Sequence, residues 1–422
     1  MNSKEDEEDC KKIEEIVSNI LENLTFLQYY PPDQVRWRGN CLFYAILYIT
    51  VQPVIAIYKN WQQWSFNSRV SAVDNLILSL GILSLSVDVF LMSDRFTTLL
   101  NLAISPYGVA DSAKITADSA LKGDTKPQVI KETLLRNTTV EGCRRANVIA
   151  NVMFYFFTSL TLIPLAGFVS YLLHLKPIDQ LTLPFLLYSP FSFSLKITNF
   201  PEYTLLTVVE FFYIYCAAVL ARSIQILQFL SVNNIVGEMR LFHLNAREMD
   251  GLVEDCDESR KVAGDVFETV LQSAMGRLVA HHQKIFWKVK QLNHASNIRI
   301  LFVNSYICLQ IVFGIFIFLK GEFILKVKYG LIVITVTMTE YIFSENGQRL
   351  QDEGEELRLA LYECNWIGKR LWYTRALQIL MIRSNHLPKV GLHNVLTLNR
   401  NNVTVVIRGA YSYFSLLNKL SS

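Results

Sequence analysis

The sequence is short of charge. Of its 422 residues, 37 are acidic and 40 are basic, so charged side chains make up 18%, against roughly 25% in soluble domains. The net charge of +3 leaves no basic footprint for nucleic acid, so no such partner is expected. The seven cysteines (Cys10, Cys41, Cys143, Cys216, Cys256, Cys308, Cys364) form no CxxC pair and are odd in number. Free thiols are therefore expected, and a zinc site has no support. His281-His282 has no carboxylate or cysteine at ligand spacing and reads as a helix-face pair. Gly-x-Ser-x-Gly, His-Glu-x-x-His and phosphate-loop motifs are missing, which gives no sign of an enzyme or of a cofactor. No internal repeat of the transporter kind is visible. The start, Glu5-Asp6-Glu7-Glu8-Asp9, is acidic where a signal peptide is basic.

Apolar residues fill the gap, at 51% of the chain. They collect in runs, and a helix needs roughly 20 residues to cross a bilayer. Seven candidates stand out: Cys41 to Tyr58, Ala72 to Met92, Ala146 to Leu173, Thr204 to Leu227, Ile300 to Phe318, Val327 to Phe343 and, weakest, Val403 to Leu420. Only helices or closed barrels satisfy backbone polar groups in lipid. The runs are continuous rather than alternating, which selects helices. The expected fold class is all-α, a polytopic membrane protein with seven transmembrane helices.

Basic residues alternate between the connecting segments. Arg95 to Arg145, Arg240 to Lys290 and Arg349 to Lys389 are rich in Lys and Arg, whereas the intervening segments hold few. Cytoplasmic segments collect such residues. The pattern predicts a cytosolic N-terminus and an extracellular C-terminus, opposite to a G-protein-coupled receptor. The stretch from about Gln228 to Asn297 is too long for a plain loop. Leu271, Met275, Leu278, His282, Ile285, Val289 and Leu292 line one helical face there. The fourth and fifth spans are therefore expected to extend beyond the membrane. The organisation expected is a cytosolic segment 1–38, spans one to four in 39–227 with an outer loop 174–203, helical extensions 228–297, spans five and six in 298–345, cytosolic helices 346–400, and a last span 401–422. Ile13, Ile16, Ile20 and Leu24 predict a short helix before Pro31-Pro32.

The C-terminal third carries the most specific pattern. Asn346-Gly347 follows the sixth run, then Leu359-Ala360-Leu361-Tyr362-Glu363-Cys364-Asn365-Trp366, an apolar helix Ala376 to Arg383, and Pro388 and Gly391. The last run ends in Ala410-Tyr411-Ser412-Tyr413-Phe414-Ser415-Leu416-Leu417. Little chain follows it, which leaves nothing for a cytosolic effector to bind. In a chain with seven apolar runs, this order resembles insect odorant receptors, which are ligand-gated cation channels. The Thr-Tyr…Gln-Phe ending of gustatory receptors is missing, as are the Asp-Arg-Tyr and Asn-Pro-x-x-Tyr motifs of G-protein-coupled receptors.

The resemblance implies several further features. Extensions of helices four to six and the first half of helix seven would form a cytosolic anchor domain. The proline- and aromatic-rich loop 174–203 would lid the ligand site. A small volatile odorant would bind in the outer half of the bundle, near Ser79, Ile82, Leu83, Phe157, Thr158, Thr161, Val208, Phe211, Phe212, Ile332 and Thr335. These residues equally suit helix packing or lipid contact, because the spans are apolar all round. Glu210 lies at the same depth and is either a ligand contact or part of a structural pair. Asp88 and Glu340 lie near inner helix ends, within reach of interfacial water. The pore would run along the last helix, one copy from each of four subunits, with a gate at Leu416 and Tyr413, Lys419 and Leu420 on the same stripe. Lys419 is odd in a cation path and favours a heteromer with an odorant co-receptor subunit; Arg408 has no explanation. The expected setting is the plasma membrane of an olfactory neuron dendrite, surrounded by lipid. A gustatory-type channel and a metabotropic seven-helix receptor remain alternatives.

Overall fold

The computed structural model describes residues 15, 18–19, 21–22, 25, 37–105, 126–174, 187–188, 199–259, 264–320, 323–392 and 396–421. The predicted Ile13–Leu24 helix and most of the outer loop 174–203 lie outside the described residues. The elements are α1 (Trp37–Asn60), α2 (Phe66–Phe90), α3 (Ser93–Ile104), α4 (Lys126–Leu172), α5 (Phe200–Ser259), α6 (Gly264–Lys320), α7 (Phe323–Glu363), α8 (Leu371–Ser384), β1 (Gly391–Leu392), β2 (Leu396–Thr397) and α9 (Arg400–Ser421). Each of the seven apolar runs falls on one of these helices. Among the described residues, four helical segments are long and apolar enough to cross a membrane: Gly39–Asn60, Ser68–Phe90, Phe200–Gly251 and Glu268–Lys320. The other three runs lie on α4, α7 and α9.

Helix lengths follow from where the apolar faces continue. α5 has 60 residues and α6 has 57, about 90 Å each at 1.5 Å per residue. That is about three times the hydrocarbon thickness of roughly 30 Å. All seven positions of the Leu271–Leu292 face are buried. α4 begins well before its apolar run, at Lys126, because its leading half packs on the α5 extension. Lys131 Nζ lies 2.5 Å from Glu248, and Asn233 Nδ2 donates to the Thr138 carbonyl at 2.9 Å. Gly142 permits this crossing, since a Cβ there would sit 2.2 Å from the Asn233 side chain.

α3 was not foreseen. Phe96, Leu99, Leu100 and Leu102 form its buried face, and Ser231 on α5 donates to the Leu99 carbonyl at 2.9 Å. The antiparallel pair β1–β2, with Gly391 opposite Thr397, was also unforeseen, because two-residue strands carry no periodicity.

Two apolar clusters hold the molecule together. The larger follows α5 and α6 from the bundle into the extensions and includes Leu220, Leu227, Ile235, Phe242, Ile285 and Leu292. The smaller joins α6, α7 and α9 through Ile311, Phe316, Tyr329, Ile332, Val406 and Ala410.

Candidate ligand cavity and pore helix

A cavity of about 100 Å³ opens between α2, α5, α6 and α7. It sits at the end of the bundle from which the α5 and α6 extensions project. α2 contributes Ile82 and Ser84; α5 contributes Ile224 and Gln225; α6 contributes Arg299, Val303 and Asn304; α7 contributes Thr335 and Glu340. Leu398, just before α9, closes one side. A wider groove of about 390 Å³ lies on the outer side of α2 and α6, with Leu83, Phe302 and Leu309 in its walls.

Of the eleven residues expected at the ligand site, the structure brings Ile82 and Thr335 to the cavity and Leu83 to the groove. Ser79 is fully buried, its hydroxyl donating to the Leu76 carbonyl at 3.0 Å. Ile332 belongs to the α6–α7–α9 cluster. Val208 and Phe212 are 58% and 48% exposed, on the outward face of α5, and Phe211 is half-buried. The side chains of Phe157, Thr158 and Thr161 lie outside the described residues. Uniformly apolar helices give no signal for the inward face, so the list scattered.

The polar residues within the apolar runs are placed differently from expectation. Asp88 and Glu340 do not reach interfacial water; both are buried. Arg299 Nη1 donates to Asp88 at 2.5 Å, and its Nη2 donates to Ser296 Oγ at 3.1 Å. Glu340 Oε1 accepts from Asn402 Nδ2 at 2.7 Å and from Ser344 Oγ at 3.1 Å. Asn402 Nδ2 also donates to Asn304 Oδ1 at 2.8 Å. The first turn of α9 is thus bonded to two walls of the cavity. At the opposite end of the bundle, Tyr329 donates to Asp74 at 2.6 Å. Glu210 is buried on α5, on the same face as Tyr203 and Thr207.

The extensions hold a separate polar core. Glu238 on α5 is fully buried between His281 Nε2 at 2.9 Å and Lys288 Nζ at 2.8 Å, both on α6. Lys288 also donates to Asn234 Oδ1 at 2.8 Å, and Asn234 donates to the Ser105 carbonyl at 2.7 Å. The carboxylate that His281 lacks along the chain therefore comes from α5. Among the described residues no group of His, Cys, Asp and Glu suits a metal. Burial opposes the Glu238 charge, but the His281 hydrogen bond and the Lys288 ammonium more than offset it, holding the carboxyl at about 2. Burial pulls the Lys288 ammonium down against the pull of Glu238. His282 faces Phe242 and Phe286; burial, then Arg383 and His281, push it down to about 4.

α9 is two-faced. Asn402, Val406 and Ala410 are buried and Phe414 packs beside them, against α6 and α7. Tyr411, Tyr413 and Leu416 are 69%, 59% and 55% exposed, and Arg408 and Lys419 are exposed too. Tyr413, Leu416 and Lys419 thus share a face that this chain leaves uncovered. The Leu420 side chain lies outside the described residues.

Comparison with known proteins agrees with this architecture. The insect olfactory receptor OR5 of Machilis hrabei superimposes with a TM-score of 0.74 at 13% identity, over 97% of this chain and 98% of that one. The same receptor in complex with eugenol gives a TM-score of 0.72 at 13% identity, over 96% and 98% of the two chains. Odorant receptor 19a of Drosophila melanogaster is 26% identical over 153 residues, 36% of this chain and 39% of the relative. The chain thus aligns with about two fifths of the length of that curated relative. A family model described as the 7tm odorant receptor matches residues 128–411. That match takes in α4 through the first half of α9, more than half of the sequence, and the chain belongs to the odorant receptor family, as a helical polytopic membrane protein and not an enzyme.

Proposed function

We propose that this chain is a subunit of an odorant-gated, non-selective cation channel. It spans the membrane seven times, with α5 and α6 extending into the cytosol and α9 ending outside. Four subunits, including an odorant co-receptor, surround a pore walled by α9 in the plasma membrane of an olfactory neuron dendrite. A small volatile odorant occupies the outer half of the bundle, among Ser79, Ile82, Leu83, Phe157, Thr158, Thr161, Val208, Phe211, Phe212, Ile332 and Thr335. Such a site needs an apolar lining with few polar groups.

One observation supports the channel reading above the others. α9 seats Val406, Ala410 and Phe414 on its own chain and leaves Tyr413 and Leu416 uncovered. Leu416 stands toward the C-terminal end of α9 and is 55% exposed. Around a symmetry axis, copies of Leu416 form an apolar ring that blocks ions by dewetting. The odorant opens this ring by binding the open arrangement more tightly than the closed one.

Leu416→Ala, expressed with the co-receptor, should raise basal current or alter ion selectivity under voltage clamp. Unchanged basal current and permeability would contradict the gate. Expression without the co-receptor should give no odorant-evoked current, and current from this chain alone would indicate a gustatory-type assembly.

A further inference from the structure

Three arginines from three helices converge on one carboxylate where the α5 and α6 extensions leave the bundle. Glu141 on α4 accepts a hydrogen bond of 2.5 Å from Arg145, one turn further along. Arg240 Nη1 on α5 lies 3.6 Å from Glu141, and Arg349 Nη2 on α7 lies 3.5 Å from it. Arg240 also donates to Glu353 at 2.7 Å. Nearby, Arg400 is held by Glu345 through two hydrogen bonds of 2.8 Å. Arg349 is not served in this way. Its side chain is 9% exposed, and both of its terminal nitrogens are buried without a hydrogen-bond partner. Burial and the Arg145 charge disfavour its own charge, and Glu141 offsets them only in part. A buried cationic donor left open costs free energy until a partner arrives.

The chemistry of the missing partner follows from those groups. It must be an anion, because three guanidinium groups face the carboxylates of Glu141 and Glu353, and Arg349 hydrogen-bonds neither. It needs several acceptor oxygens, because the donors approach from three helices. A carboxylate in this position leaves Arg349 open, as Glu141 itself shows. A phosphate monoester carries a charge of about −1.5 to −2 at neutral pH and three strong acceptor oxygens. Guanidinium forks match it through paired hydrogen bonds. The Glu141 side chain is 36% exposed, so it has solvent to turn into. We propose that Glu141 keeps the place of a phosphate monoester, which Arg145, Arg240 and Arg349 bind when the carboxylate swings out.

The setting names two sources for that group. Arg145 adjoins Ala146, where the third apolar run begins, and Arg349 follows Phe343, the end of the sixth run, by six residues, about 9 Å along α7. The headgroup layer extends about 5–8 Å beyond the hydrocarbon on each side, so the cluster stands at the depth of lipid headgroups. An inositol lipid offers phosphate monoesters there, and a soluble inositol phosphate offers the same chemistry from the aqueous side. That this side is cytosolic rests on the proposed topology. The bound phosphate ties α4, α5 and α7 together beside the α9 root, where Glu345 on α7 holds Arg400.

The test uses the assembled receptor in phosphatidylcholine nanodiscs. The probes are phosphatidylinositol bisphosphate added to the disc and, separately, soluble inositol trisphosphate. Probe binding and melting temperature are read in parallel. A nanodisc exposes both leaflets, so the result does not depend on which side is cytosolic. At least one probe should bind saturably and raise the melting temperature. Binding of the lipid alone assigns the site to the membrane, and equal binding of the soluble probe assigns it to the aqueous phase. Arg349→Gln should weaken binding by about tenfold or more, the worth of one or two charge-assisted hydrogen bonds. Glu141→Gln should do the reverse, tightening binding by about tenfold through loss of a like charge. It carries the test if Arg349→Gln does not assemble. Arg144→Gln, which removes an equal charge from an exposed neighbour, should change little. Equal weakening in the Arg144 and Arg349 variants would reduce the effect to diffuse attraction and overturn the site. No saturable binding of either probe, or binding that Glu141→Gln leaves unchanged, would overturn it equally. Saturable binding that, in intact cells, takes the soluble probe only from outside would refute the topology and leave the site standing.

Discussion

Arg299 and Asp88 are two charges shut in an apolar bundle, 2.5 Å apart. Removing one partner from such a pair costs about 3–5 kcal/mol, because the other charge is left buried. The acidic half was visible in the sequence as an isolated aspartate in an apolar run. Its partner was not, since Arg299 lies 211 residues away and reads as the ordinary flank of the fifth run. His282 shows the same limit. Its place on a helical face was readable, but not its neighbours from α5 and α8. Its depressed proton affinity has a consequence for stability. The folded chain holds His282 neutral down to about 4, while the unfolded chain takes up a proton at about 6.5. Stability is therefore complete above about 6.5 and falls between about 6.5 and 4, by about 3 kcal/mol. Thermal unfolding of the solubilised protein should show this slope, and His282→Gln should flatten it. An identical slope in the variant would contradict the assignment.

Among the elements, the junction of α7 with the segment leading into α9 is a close one. Gly347 lies on α7 where a Cβ would come within 2.2 Å of the Leu398 carbonyl oxygen. The obstacle is backbone and cannot swing aside. Gly347→Ala should therefore displace the α9 root, lower odorant-evoked current and destabilise the complex by about 1–3 kcal/mol. Gly276→Ala, whose Cβ meets nothing within 4 Å, should leave the current unchanged and serves as its control. Equal currents in the two variants would show that the close approach is unimportant. The sequence marked Asn346-Gly347 but gave no reason for it. The helical extensions were legible because the Leu271–Leu292 face keeps one period over many turns. α3, β1 and β2 were not, because a short amphipathic helix and two-residue strands fall below what periodicity resolves. The ligand face was illegible for the opposite reason. Apolar residues surround each span, so lipid contact and interior packing look alike in one dimension.

For the whole molecule, the fold persists at 13% identity to the Machilis receptor, with a TM-score of 0.74. Bilayer thickness sets the length of apolar runs and the cytoplasmic preference for Lys and Arg sets where basic segments fall, and neither fixes individual side chains. One chain nevertheless leaves an aromatic and leucine face on α9 uncovered, and the account assigns that face to a shared ion path. Substituted-cysteine accessibility tests this most directly. Tyr413→Cys, Leu416→Cys and Phe414→Cys are expressed with the co-receptor and treated from outside with a charged thiol reagent during odorant stimulation. The account predicts block at Tyr413 and Leu416 and none at Phe414, which is packed against α6 and α7. Block at Phe414 with none at Tyr413 and Leu416, or no block at any of the three, would contradict it.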